Sequence, residues 1–118
     1  MRVFLIGFGN MGQAIAKSLR GAKSSYDISV ASKDGLSDMT ASEHSVTIDN
    51  SYSGLKNADA IILAVKPQDL SSLAEEVKEK TAEHTIIVSI AAGVTIEKVK
   101  KLFGRDKIVR VMPNLGLL

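Results

Sequence analysis

The chain has 118 residues, the size of one domain, and should bury roughly two thirds of its unfolded surface. With 45% hydrophobic and 24% charged residues it reads as a globular chain, and a net charge of +2 with only 4% aromatic residues argues against a nucleic-acid surface. The absence of Cys excludes disulfides and thiolate metal sites, and the two histidines, His44 and His84, fall far apart in surface-like segments and read as solvated, so no metal is expected.

No apolar run approaches the ~18 residues of a membrane span. Met1 opens straight into a strand, which leaves no room for a signal peptide. A cytoplasmic protein without membrane partners is expected.

Residues 2–6 form the first strand, with the near-continuous apolar run expected where both faces of a parallel sheet are covered. Gly7, Phe8, Gly9, Asn10, Met11 and Gly12 follow at once. This is G-x-G-x-x-G set directly between a strand and a helix, and that placement carries more weight than the pattern. Gly7 suits a tight turn, Gly9 lets a pyrophosphate approach the backbone, and Gly12 lets the helix pack close to the strand. The helix N-terminus adds free N–H groups and a positive dipole end.

Helix is expected over residues 10–20, with Met11, Ala14, Ile15, Ser18 and Leu19 on one face and Gly21 as its stop. A polar connection leads to a second strand at 28–32. Residues 33–43 are polar, and Leu36 with Met39 allows a short helix there. A short strand at 45–48 and a turn or short helix at 50–57 lead to the oily strand 60–65. Lys66-Pro67 ends that strand.

Residues 69–83 form the clearest amphipathic helix, with Leu70, Leu73, Ala74 and Val77 as its apolar stripe. A third oily strand spans 85–90, followed by the small-residue loop Ala91-Ala92-Gly93. A helix over 95–103 is capped by Thr95 and closed by Gly104, although Lys98 stands where a capping-box Glu would be expected. The last strand is 107–112, ended by Pro113. Alternating strand–helix units specify an α/β fold, a Rossmann-type doubly wound parallel sheet of order 3-2-1-4-5-6 in a single domain. Its ligand should lie across the strand ends where the order reverses.

The second strand bears on the cofactor. A NAD-binding fold places an Asp or Glu about 20 residues beyond the glycines, on the ribose hydroxyls. Here that region reads Ala31-Ser32-Lys33-Asp34. Ser32 with Lys33 suits a 2′-phosphate and favours NADP over NAD. The alternative leaves Lys33 solvated and gives the ribose to Asp34.

Together these residues resemble the N-terminal, dinucleotide-binding domain of the pyrroline-5-carboxylate reductase family. The shared stretches are IGFGNMGQAIAKSL, NADAIILAVKPQDL, SIAAGVTIEKVKKLFG and VRVMPN, which cover nearly the whole chain. The resemblance implies that residues 7–12 are the pyrophosphate loop and that Ser32 and Lys33 face the adenosine ribose and its phosphate. It further implies that Ala64, Val65, Lys66 and Pro67 lie beneath the nicotinamide ribose and that Ala91, Ala92 and Gly93 border the nicotinamide. Met112, Pro113 and Asn114 would flank the reacting face.

The resemblance also implies an enzyme of proline biosynthesis that transfers hydride from NADPH to the cyclic imine 1-pyrroline-5-carboxylate. The family continues from Met-Pro-Asn into Thr-Pro and a helical C-terminal domain that makes the dimer and most of the imino-acid pocket. This chain reads Leu115-Gly116-Leu117-Leu118 instead. The expectation is therefore a dinucleotide-binding domain over residues 1–118, without the substrate pocket or the main dimer contacts and inactive alone. Homo-oligomers remain open, and no residue presents itself as the proton donor. The alternatives are a stand-alone nucleotide-binding module, or another NADP-dependent reductase on the same fold, such as the deazaflavin-dependent ones.

Overall fold

The computed structural model describes residues 1–22, 26–33, 37–91 and 93–111. Six strands form one parallel sheet: β1 (Arg2–Ile6), β2 (Asp27–Ala31), β3 (Thr47–Ile48), β4 (Ala60–Leu63), β5 (Ile86–Ser89) and β6 (Ile108–Arg110). Their order is β3-β2-β1-β4-β5-β6, as the alternation of elements predicts. The central pair β1 and β4 is in register from Val3 opposite Ala60 to Ile6 opposite Leu63.

Helix α1 (Asn10–Ala22) contributes to the core on one face, where α2 (Asp38–His44) packs beside it, and α3 (Leu70–Val77) and α4 (Ile96–Phe103) contribute to the core on the other. Alternate residues of each central strand serve opposite faces, because successive side chains of a strand point in opposite directions. Phe4 and Ile61 thus join the cluster that holds Leu73, Val77, Val99 and Phe103, whereas Leu5, Val30 and Ile62 join the one that holds Ala16. Among the described residues, no helix is long and apolar enough to cross a membrane.

Several boundaries differ from expectation for physical reasons. Helix α1 runs through Gly21 to Ala22. The Arg20 guanidinium holds its end, donating to the carbonyls of Tyr26 (2.7 Å) and Ser45 (2.7 Å). Ser18 is exposed, and Ala16 is the buried contact of α1. On α2, Met39 is 74% exposed and Ala41 makes the core contact; Leu36 lies outside the described residues. Ser37 caps this helix, its hydroxyl accepting the Thr40 N–H.

Helix α3 is flanked by 3-10 turns at Pro67–Asp69 and Lys78–Lys80 and stops short of residue 83. The buried Thr81 hydroxyl donates to the Val77 carbonyl (2.9 Å). The Arg105 guanidinium collects the carbonyls of Thr81, Ala82 and Thr85, and that backbone forms a bend and a turn rather than a helix.

Candidate functional site

The glycine loop has the form its sequence dictates. Gly7 leaves β1 with φ +97°, and a Cβ there would lie 2.3 Å from the Ala64 carbonyl oxygen. Gly12 starts the packing of α1 over the loop, where a Cβ would lie 2.3 Å from the Gly7 oxygen. Both positions exclude side chains for reasons internal to the fold. Gly9 differs, since a Cβ there would meet nothing within 4 Å. It lines a cleft, so its missing side chain keeps open a space that the fold itself does not fill.

That cleft, of about 880 Å³, lies across the carboxyl ends of β1, β2 and β4, within the usual range for small-molecule sites. Gly7, Phe8 and Gly9 form its floor, with Ser32 and Lys33 at one end. Ala64, Val65 and Lys66, at the end of β4, lie beside the glycines, and Ser72, Leu73 and Glu76 of α3 complete the lining. The helix beginning at Asn10 has no acidic residue in its first turn to repel an anion.

Of the residues singled out from sequence, Gly7, Phe8, Gly9, Ser32, Lys33, Ala64, Val65 and Lys66 come together here. Asn10 is exposed at the helix start, while Met11 packs against the core cluster of the α1 face. Pro67 opens the 3-10 turn before α3. Ala91 is buried in the core on the α3/α4 face, and Gly93 is exposed in a left-handed conformation (φ 74°), both outside the cleft wall. Ala92, Met112, Pro113 and Asn114 lie outside the described residues. Phe8 is also buried, its ring meeting the edge of His44 at 5.2 Å, so His44 is a half-buried partner of the loop rather than a solvated side chain.

Asn50, Tyr52, Asp69, Ser72 and Glu76 also line the cleft and did not stand out in sequence. Asn50 Oδ1 accepts the Ser32 N–H (2.8 Å), which ties the β3–β4 loop to the end of β2. Burial, with the charge of Glu76 adding to it, pushes the Tyr52 phenol up. The one available signal was the Asp49-Asn50 pair, whose side chains favour turns that bond their own backbone.

A second cavity of about 600 Å³ sits at the opposite end of the sheet, between Lys78, Glu83, Arg105 and Lys107. Arg105 there is engaged with backbone carbonyls, and no glycine loop faces it.

A doubly wound sheet whose central strand passes through three glycines into a helix defines a dinucleotide-binding domain. The chain belongs to the family described as NADP oxidoreductase, coenzyme F420-dependent, whose model matches residues 2–93; members are pyridine-nucleotide-dependent oxidoreductases. Among individual proteins it is similar to pyrroline-5-carboxylate reductases. It is 40% identical to that of Aquifex aeolicus, over 99% of this chain and 44% of the relative. Against the Arabidopsis thaliana protein the identity is 32%, over 96% of this chain and 42% of the relative. The structure of the reductase from Coxiella burnetii superposes with a TM-score of 0.82 at 34% identity, covering 95% of this chain and 43% of that one. The chain thus spans less than half the length of these relatives.

Proposed function

We propose that the chain is the NADP(H)-binding domain of a pyrroline-5-carboxylate reductase, an enzyme that reduces the C=N bond of 1-pyrroline-5-carboxylate to give proline. The observation that carries this reading is Gly9, bare of side chain and facing a cleft with Ser32 and Lys33 at one end. The glycine loop and the N-terminus of α1 would take the pyrophosphate. Ser32 and Lys33 would take the ribose and its 2′-phosphate, and Ala64 to Lys66 the far ribose. Ala92, Gly93, Met112, Pro113 and Asn114 are proposed at the nicotinamide end on the family resemblance. Bound there, the reduced nicotinamide supplies the hydride.

The residues that hold the imino acid, donate its proton and make the main subunit contacts are placed in the half of the family's length that this chain does not span. A cytoplasmic location goes with the same reading. The family description supports a second one, hydride exchange between NADP and a deazaflavin coenzyme. The reductase relatives favour the first.

The cofactor test is calorimetric titration of NADPH and NADH. Charge-assisted hydrogen bonds are worth roughly 1.5–3 kcal/mol, so NADPH should bind about tenfold to a hundredfold more tightly. Lys33→Glu should erase or reverse that preference by placing like charge beside the phosphate. Equal affinities that Lys33→Glu leaves unchanged would show that another residue reads the ribose.

A further inference from the structure

The β3–β4 loop is held by one side chain. The Asp49 Oδ1 accepts from the Ser51 hydroxyl (3.0 Å), the Ser53 hydroxyl (3.0 Å) and the Ser53 N–H (3.2 Å). Its Oδ2 accepts the Gly54 N–H (2.8 Å). A Cβ on Gly54 would lie 3.2 Å from that oxygen, close enough that the carboxylate would have to shift by a few tenths of an ångström. The Asp49 N–H in turn donates to the Val30 carbonyl (2.8 Å), which anchors the arrangement on β2. Burial pushes the Asp49 carboxyl up, but the Gly54 N–H, the Ser53 and Ser51 hydroxyls and the Ser53 N–H together outweigh it. The group sits below its usual range and is charged at neutral pH.

This loop supplies two residues of the cleft lining, Asn50 and Tyr52. Asn50 receives the Ser32 N–H, beside the residues read as facing the adenosine ribose. Tyr52 adopts a left-handed backbone conformation (φ 61°), which a bulky side chain avoids unless its surroundings impose it. Its N–H reaches the Asp49 carbonyl (3.3 Å). Its ring meets that of Phe4 (centroids 6.1 Å apart), and the Lys80 ammonium stands 5.5 Å from its centroid. Nothing in the hydrophobic pattern demands this conformation, and a serine-rich loop freed from its acceptor has many others.

We propose that Asp49 is a positioning residue of the cleft, closing loop 49–54 so that Asn50 and Tyr52 form the wall against the adenosine half of the dinucleotide. The proposal rests on the dinucleotide reading above. Asp49 itself does not line the cleft; it acts through the two residues that do.

The test is a mutant cycle read by calorimetry, with NADPH and with adenosine 2′,5′-bisphosphate as the probe of the adenosine half. Folding of each variant is checked by thermal melting. Asp49→Ala should weaken both ligands by about the same factor, roughly tenfold. In an Asn50→Ala/Tyr52→Ala background the same change should weaken them less than about twofold, because the residues it positions are gone. Asp49→Asn keeps the size but replaces one of two acceptor oxygens with a donor. It should show the same loss and carries the test if the alanine variant does not fold. Folded variants that bind both ligands like the wild type would overturn the proposal while leaving the dinucleotide reading intact. So would a loss that adds in full in the double-alanine background. A wild-type chain that binds neither ligand would overturn the dinucleotide reading and this proposal with it.

Discussion

The three glycines of the loop do different work, and substitution should separate them. Alanine at Gly7 puts a Cβ 2.3 Å from a backbone oxygen at a φ of +97°, a strain only a backbone shift can relieve. The expected cost is about 3 kcal/mol, a large part of the 5–15 kcal/mol typical of a domain. Alanine at Gly9 meets nothing within 4 Å, so the melting temperature should barely move. Its methyl stands where the reading places a pyrophosphate, and NADPH affinity should fall at least tenfold, an estimate of about 1.4 kcal/mol. Paired melting and calorimetry read both effects. A Gly9→Ala chain that keeps full affinity would remove the phosphate from the loop's role.

At the scale of elements, helix α4 shows how local chemistry sets a boundary. The Thr95 side chain accepts the Lys98 N–H (3.2 Å), and Gly104 closes the helix in a left-handed conformation (φ 64°). Thr95→Ala should cost about 1 kcal/mol, lowering the melting temperature by roughly 4 °C, with NADPH affinity unchanged because α4 stands away from the cleft. An unshifted melting curve would mean that the cap contributes nothing.

Capping of this kind was legible in sequence, as were β1, β4, β5 and the stripe of Leu70, Leu73, Ala74 and Val77. All rest on hydrophobic periodicity, on a capping hydroxyl or on a single glycine. The stretch from Lys33 to Asn57 was far less legible. Over residues 37–57 the order comes from Ser37, Asp49 and Asn50, whose hydrogen bonds leave no period in the sequence. Helix α3 ends sooner than its periodicity predicts because the backbone after it is held by Arg105, which is remote in the chain. For the cleft, the floor of Gly7 to Gly9 and the edge at Ser32 could be read directly. The wall at Tyr52 and Glu76 could not, since it exists only once loop and helix are brought together.

At the scale of the whole molecule, the cleft and the cavity at Arg105 lie at opposite ends of one sheet, and of these two the cleft lies at the reversal of strand order between β1 and β4. The central claim is that this cleft takes a dinucleotide. A chain of 12.6 kDa suits a direct test, the amide NMR spectrum followed through a titration with NADPH. Saturable shifts are expected at Gly7, Gly9, Ser32, Asn50, Ala64 and Val65, with Gly104 and Arg105 still. No shift at any of these amides, or shifts gathered around Arg105 at the other end of the sheet, would contradict it.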